Sequence, residues 1–145
     1  MNKDIIKAKE VLIKEKATCV FCKNDDIVIS EEHGVKPLIS LIESKKNYKD
    51  YSAADKVIGN GAAFLFAMLG VKEVFAEVIS EAACNTLKRY GIEYSYDNKA
   101  AYIQNREGNG VCPMEQAVAN AENPEDALVL INKKIAWLKV TKKQK

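Results

Sequence analysis

The sequence is poor in the residues that mark specialised protein classes. It has 3 prolines and 7 glycines among 145 residues, with no low-complexity run and no internal repeat, so nothing indicates a linker between domains. Its 4 cysteines are too few for a disulfide scaffold, and we expect free thiols in a reducing compartment. Because 48% of the residues are hydrophobic, we predict one domain over residues 1–140 and a disordered tail over residues 141–145.

Long apolar runs and an excess of one charge are also missing. The 22 basic and 20 acidic residues nearly cancel, to a net charge of +2, which does not favour a nucleic-acid partner. The longest apolar stretch, residues 61–71, is much shorter than the roughly 20 residues of a bilayer span. Lysines interrupt the apolar residues of the first 16 positions, unlike a signal peptide. We therefore expect a cytoplasmic protein without a membrane partner.

The spacing of apolar residues and turn formers predicts alternating helices and strands. The expected order is a helix over 2–16, a hairpin of 17–23 and 27–30, a short helix over 38–42, a longer helix from Ser52, a strand over 73–79, a helix over 80–90, a second hairpin of 92–96 and 100–104, and helices opening at Cys112 and Asn123. A mixed sheet of about five strands flanked by helices, an α/β fold, accommodates this order.

Four short blocks carry a resemblance to a known family. They are Gly34-Val35-Lys36-Pro37-Leu38, Ala54-Asp55-Lys56-Val57-Ile58-Gly59, Ile79-Ser80-Glu81, and Asn105-Arg106 followed by Cys112-Pro113-Met114-Glu115. Through them the chain resembles the domain of unknown function 1893 family, which has no established reaction. The resemblance implies a cytidine-deaminase-like fold, an α+β three-layer sandwich, with a pocket where two helix starts meet the strand ends. The second hairpin is similar to the branch of that superfamily whose last two strands run antiparallel.

The residues that zinc deaminases need are missing from the corresponding positions. Such an enzyme holds its metal with His-x-Glu at one helix start and Pro-Cys-x-x-Cys at another. Here those segments read Ala54-Asp55-Lys56 and Ser80-Glu81-Ala82-Ala83-Cys84, and the single histidine, His33, lies far earlier in the chain. We therefore predict no metal site, no cofactor and no zinc deaminase activity.

Asp55 and Lys56 form the leading candidate for a ligand site. They are predicted to open a buried helix that contains Gly59 and Gly61, residues that permit close backbone approach. The alternative is a capping box, in which Ser52 and Asp55 satisfy the first amides of that helix. Both interpretations remain open.

Ser80 and Glu81 lie where a central strand should end and a helix begin, a position at which open sheets bind ligands. Serine is also an ordinary N-cap, and Glu81 suits the positive end of the helix dipole. A metal site made from Asp55, Glu81 and Cys84 would mix ligand types and lack an imidazole, so it is a poor zinc candidate.

Cys112 and Glu115 form the candidate catalytic pair. A thiol at a helix start favours thiolate, and Glu115 could accept a proton. Ordinary helix initiation explains the same residues, because Asn123-Pro124-Glu125-Asp126 repeats the pattern. Asn105 and Arg106 could add an anion-binding rim, although an arginine at a strand end is more often exposed and paired.

Two further residues or motifs receive structural interpretations. Cys19 and Cys22 match C-x-x-C, but positions three apart on a strand point to opposite faces, so the two thiols cannot hold one ion. His33 has no partner motif and is expected to be a solvated loop residue.

Three functions remain open on the sequence. The first is a protein that binds a small, nucleotide-like ligand without catalytic zinc. The second is an enzyme of non-deaminase chemistry that uses Cys112 with Glu115, or Asp55 with Lys56. The third is a scaffold or regulatory protein that acts as a homo-oligomer.

Overall fold

Five strands and six helices make up the described part of the chain. The structure is a computed structural model that describes residues 2–105 and 107–143. The strands are β1 (Cys19–Lys23), β2 (Asp26–Ser30), β3 (Ser52–Ile58), β4 (Glu73–Ser80) and β5 (Glu93–Ala100). The helices are α1 (Lys3–Lys14), α2 (Lys36–Glu43), α3 (Asn60–Leu69), α4 (Glu81–Arg89), α5 (Pro113–Ala117) and α6 (Pro124–Lys143).

The strands form one mixed sheet with the order β2-β1-β3-β4-β5. Strand β1 is antiparallel to both β2 and β3, whereas β3, β4 and β5 run parallel to one another. Helices lie on both faces of this sheet, which confirms the predicted five-stranded mixed α/β architecture. Among the described residues, no helix combines the length and apolar character that crossing a membrane would require.

The sheet divides the hydrophobic core into two layers. Helix α1 covers one face, where Leu12 packs with Val20, Cys22 and Phe75. Helices α2, α3, α4 and α6 cover the other face, and Cys19 and Phe21 of β1 point into that larger layer. The alternation along β1 therefore places Cys19 and Cys22 on opposite faces, as predicted, and all four cysteines are free thiols.

The prediction that Ser52 begins a helix is wrong. Residues Ser52–Ile58 form β3, and the helix begins only at Asn60 after the extended residue Gly59. Strand β3 lies inside the sheet, and its first four residues are all buried. A short apolar run that is buried on both faces lacks the alternation of a half-exposed strand, so periodicity alone could not separate it from the helix that follows. Asp55 and Lys56 are therefore strand residues, and the predicted Ser52–Asp55 capping box does not exist.

The predicted second hairpin is also wrong. Residues 92–104 contain one continuous strand, β5, which runs through Asp97, Asn98 and Lys99 without turning. These polar residues are exposed on an edge strand, where solvent satisfies them, so they need not form a turn. Strands β4 and β5 are parallel, which corrects the expectation of an antiparallel final pair. Gln104 makes only an isolated bridge with Val111.

The other predicted elements agree with the structure. Asn2 caps α1, the first hairpin pairs β1 with β2, and Ser80 caps α4. Cys112 precedes α5, and the Asn123 side chain accepts a 2.7 Å hydrogen bond from the Asp126 amide at the start of α6. Helix α6 extends to Lys143, into the predicted tail, and residues 144 and 145 lie outside the described part of the chain.

The packing of α3 against the sheet is expected to dominate stability. Phe66 is fully buried, and its ring centroid lies 5.8 Å from that of Phe21. We expect Phe66→Ala to lower the free energy of unfolding by about 3–5 kcal/mol, because the cavity left behind cannot collapse fully. Denaturant unfolding checks this, with Val129→Ala on the exposed side of α6 as a control expected to change stability by less than about 0.5 kcal/mol. A loss below about 1 kcal/mol for Phe66→Ala would contradict this packing.

Candidate functional site

A pocket of about 270 Å³ opens where β1 and β3 meet the start of α3. Helix α5 and the segment around His33 close its other sides. The pocket brings together four of the sequence-predicted site residues, namely Asp55, Lys56, Cys112 and Glu115. The remainder of the lining is mostly apolar or small, with Val35, Val57, Gly59, Gly61, Ala62, Ile103 and Met114.

Asp55 provides a buried carboxyl group in this pocket. The residue is only 8% exposed and pairs with Cys19 across the antiparallel β1–β3 ladder. Burial raises the pKa of Asp55 from 3.8 to about 7, although hydrogen bonds from the amides of Val57 and Lys56 and from the Cys19 thiol oppose the shift. Near neutral pH the group is therefore divided between its acid and carboxylate forms.

Cys19 is the hydrogen-bond partner that sequence reasoning missed. Burial, then the negative charge of Asp55 and the hydrogen bond to it, raise the pKa of the Cys19 thiol well above 9.0. The thiol therefore stays protonated and acts as a donor to Asp55 rather than as a nucleophile. Only the β1–β3 register makes these residues neighbours, because the two are 36 positions apart in the sequence.

Lys56 supplies positive charge at the mouth of the pocket. Its side chain is exposed, whereas its backbone amide donates a 3.1 Å hydrogen bond to the carbonyl of Thr18 just before β1. That bond extends the contact between the two strands beyond Asp55. The ammonium group makes no ion pair within the described residues, so it can meet an anionic group of a ligand.

Glu115 fastens α5 to the start of α3. One carboxylate oxygen, Oε1, accepts a 2.9 Å hydrogen bond from the Asn60 amide, and Oε2 accepts a 2.9 Å bond from the Ile103 amide. Gly59, which precedes α3, offers no side chain for capping, so the carboxylate takes over that role from another helix. Thr86 of α4 donates a further hydrogen bond to the Asn60 side chain.

Gly59 leaves room for the Glu115 side chain, which approaches its backbone closely. A Cβ atom at position 59 would lie 3.1 Å from both Cγ and Oε1 of Glu115, and 3.2 Å from Cγ1 of Ile103. The glycine therefore makes room for the carboxylate that caps α3. Gly59 was identified from the sequence as a residue that permits close backbone approach, but no local pattern identifies a partner 56 positions away.

Cys112 lies beside the pocket as the residue before α5. It is partly buried, and its amide donates a 2.8 Å hydrogen bond to the carbonyl of Ile103. Because both oxygens of Glu115 already accept backbone hydrogen bonds, the carboxylate has little freedom to serve as a base for Cys112. The catalytic role of the Cys112 and Glu115 pair stays a prediction.

Ser80, Glu81 and Asn105, which were also predicted to bind a ligand, do not line this pocket. Ser80 is buried and accepts a 3.1 Å hydrogen bond from the Ala83 amide, which is the N-cap alternative, and Glu81 is exposed beside it. Asn105 exchanges hydrogen bonds with Asn109 in a loop, and Arg106 lies outside the described residues. The second helix start at the pocket is thus that of α5, not that of α4 as expected.

His33 was expected to be a solvated loop residue without a role at the site. It is exposed, as expected, but it also lines the pocket together with Gly34. Across residues 2–105 and 107–143, no group of three or more histidine, cysteine or acidic side chains is arranged to hold a metal ion.

The sheet order and this pocket define an α/β protein with a buried acid at the junction of two antiparallel strands. A family model described as domain of unknown function (DUF1893) matches residues 7–135. The chain therefore belongs to the DUF1893 family, as the sequence blocks indicated. No curated protein sequence shows significant similarity to it.

Solved structures agree with this assignment. A DUF1893 family protein from Thermotoga maritima superimposes with a TM-score of 0.84 at 25% identity, covering 92% of each chain. A dCMP deaminase from cyanophage S-TIM5, in complex with dCMP and dUMP, gives a TM-score of 0.46 at 14% identity over 66% of this chain and 98% of its own. A diaminohydroxyphosphoribosylaminopyrimidine deaminase/reductase from Thermotoga maritima gives a TM-score of 0.43 at 10% identity. The superposition covers 79% of this chain and 40% of the other. No residue role follows from the last two superpositions.

The raised pKa of Asp55 makes stability depend on pH. The folded chain binds the proton of the Asp55 carboxyl group more tightly than the unfolded chain does. The stabilisation that this proton gives the fold is therefore complete below about pH 4 and is lost as pH rises toward 7. Each unit of pKa difference corresponds to about 1.4 kcal/mol. We expect Asp55→Asn to gain stability relative to the wild type as pH rises through this window, measured by thermal unfolding at several pH values. Glu43→Gln, which changes an exposed carboxylate, is the control and should follow the pH dependence of the wild type. Parallel curves of stability against pH for the wild type and Asp55→Asn would contradict the raised pKa of Asp55.

The bridging role of Glu115 is tested by its amide analogue. In Glu115→Gln, the amide group must face one of the two backbone donors, Asn60 or Ile103, so one partly buried N–H loses its acceptor. We expect a loss of about 1–3 kcal/mol in the free energy of unfolding. The exposed neighbour in Gln116→Ala should leave stability nearly unchanged, and equal stability of both variants would rule out the bridge.

Proposed function

We propose that the protein is a cytoplasmic binding protein that takes a small, nucleotide-like ligand into this pocket without a catalytic zinc ion. The observation that carries the proposal is the buried Asp55 carboxyl group, whose pKa of about 7 lets it be protonated or ionised at neutral pH. Groups with such strongly shifted pKa values in a pocket mark functional sites more often than ordinary surface carboxylates do.

The chemistry of Asp55 suits the edge of a nitrogen heterocycle. The edges of nucleobases present hydrogen-bond donors and acceptors beside one another. In its protonated form the carboxyl group can donate to one position and accept from the next, and in its ionised form it accepts from both. Because Asp55 is largely removed from water, such hydrogen bonds meet little competition from solvent. A base could thus form hydrogen bonds with this buried carboxyl group.

The size and the charge of the pocket narrow the choice of ligand. A volume of about 270 Å³ lies at the lower end of small-molecule sites, which favours a base or nucleoside over a large cofactor. The apolar lining from Val35, Ala62 and Met114 can pack against the faces of a flat ring. Lys56, exposed at the mouth, can pair with a phosphate group that stays in solvent.

The interactions of Cys19 and Glu115 within the chain support binding without zinc. The Cys19 thiol has a raised pKa and donates to Asp55, so it is a poor thiolate ligand. Both oxygens of Glu115 accept backbone hydrogen bonds. The Cys19 thiol and the Glu115 carboxylate are therefore already engaged by other groups of the chain.

A second candidate function is an enzyme of non-deaminase chemistry in which Asp55 acts with Lys56. The observation that favours it is again the Asp55 pKa of about 7, because a general acid or base works best near the operating pH. Conversion of a bound compound to a product of different mass would distinguish this function from simple binding.

The proposal is tested by native mass spectrometry and calorimetry with a panel of nucleobases, nucleosides and nucleotides. We expect one class to bind, Asp55→Asn to weaken it at least about tenfold, and Lys56→Ala to weaken only the phosphorylated members. Lys72→Ala, which removes an exposed lysine distant from the pocket lining, is the matched control. The proposal would be contradicted if no member of the panel binds, or if neither Asp55→Asn nor Lys56→Ala changes the affinity.

A further inference from the structure

The outer edge of β5 is long and has no partner strand among the described residues. Strand β5 ends the sheet, has 8 residues, and keeps one register with β4 from Glu93 to Ala100. Proteins commonly shield such edges with charged side chains, a proline, a bulge or a short strand, because free N–H and C=O groups invite pairing with another chain. Of these devices, β5 has only charged side chains, at Glu93, Asp97 and Lys99. Strand β5 has no proline and no register shift, whereas the opposite edge strand, β2, has only 5 residues.

The hydrogen bonds to β4 identify which groups of β5 are free. The amide of Glu93 donates a 3.1 Å hydrogen bond to the carbonyl of Lys72, so the odd-numbered residues of β5 face β4. The N–H and C=O groups of the even-numbered residues Tyr94, Tyr96 and Asn98 therefore point away from the sheet. No described residue makes a backbone hydrogen bond to them.

We propose that two copies of this chain pair through their β5 strands, antiparallel and centred on Tyr96, to form one continuous sheet. The free groups of Tyr94, Tyr96 and Asn98 then meet the free groups of the same residues in the second copy. Each pair of directly opposed residues of this type exchanges two hydrogen bonds. The arrangement is a closed twofold dimer, which uses the same surface on both copies and leaves no further edge at β5.

The charges on β5 select this register over its two neighbours. A dimer centred on Ser95 would place Glu93 opposite the partner's Asp97, and a dimer centred on Asp97 would place the two Asp97 side chains opposite each other. Like charges directly opposed on paired strands are destabilising. In the dimer centred on Tyr96, Glu93 lies opposite the partner's Lys99, and the twofold symmetry repeats this favourable pair.

None of these charged side chains has a competing ion pair within the described residues. The two Asp97 side chains become diagonal neighbours about 7–8 Å apart, where their repulsion is weaker than in direct opposition.

Two uncharged residues favour the same register. Tyr96 is 42% exposed, and its ring stacks on that of Tyr94 with centroids 6.4 Å apart. Pairing would place this pair of tyrosine rings next to the same pair in the second copy. Ser95 has a buried Oγ atom without a hydrogen-bond partner in the described structure. In the proposed dimer Ser95 lies directly opposite the partner's Asp97, whose carboxylate is an acceptor for that hydroxyl.

Analytical ultracentrifugation of the full chain tests the dimer through charge exchange. We expect the wild type to dimerise, and Glu93→Lys or Lys99→Glu alone to weaken self-association at least about tenfold, because each creates two like-charged pairs. An equimolar mixture of the two single variants should recover a dimer, since every opposed pair is again of opposite charge, and the double variant should recover it alone. Glu31→Lys, in the exposed segment after β2, is the matched control expected to dimerise as the wild type does.

A proline substitution separates pairing from folding. Tyr96→Pro removes an outward N–H but none of the bonds to β4, so we expect a monomer with wild-type circular dichroism. A monomeric wild type at every accessible concentration would overturn the proposal. A dimer that survives both single charge changes, or a mixture that fails to associate while both folded variants are monomers, would overturn it as well.

Discussion

The pocket is organised around the pairing of Cys19 with the buried Asp55 across two strands. This pairing crosses the antiparallel β1–β3 pair at the place where these strands reach the start of α3. The protonated thiol gives the buried carboxyl group one donor, and the amides that follow Asp55 give others. These contacts hold the carboxyl group in place without fully replacing water, so its proton is retained to a higher pH than usual.

Glu115 provides the second fixed point of the site. By capping α3 and binding the Ile103 amide, it joins three parts of the chain that are remote in sequence. Gly59 leaves room for the close approach of Glu115, because a Cβ atom there would crowd the Glu115 side chain. Hydrogen bonds from two backbone amides to the Glu115 side chain therefore join the elements of the pocket wall, and such preorganisation suits recognition of a defined small molecule.

Most of the fold could be predicted from the sequence because local patterns encode it. The first hairpin follows from Asn24 and Asp25 between two β-prone runs, and α4 follows from Ser80 as its cap. The errors occurred where a local pattern was ambiguous. Strand β3 is buried without alternation, and the turn-forming residues of β5 are tolerated because an edge strand leaves them in solvent.

The candidate site was only partly predictable for a related reason. Asp55, Lys56, Cys112 and Glu115 were identified from the sequence, and all of them line one pocket. Their geometry depends on strand register and on helix placement, which a single sequence does not specify. Cys19 could therefore not be recognised as the partner of Asp55, and His33 could not be placed at the pocket wall.

The most direct measurement is a carbon-13 NMR titration of the side-chain carboxyl carbon of Asp55, identified by comparison with Asp55→Asn. The buried site described above gives a midpoint near pH 7 for this resonance. A midpoint near the ordinary value of 3.8 would show a solvated carboxylate and would contradict the account.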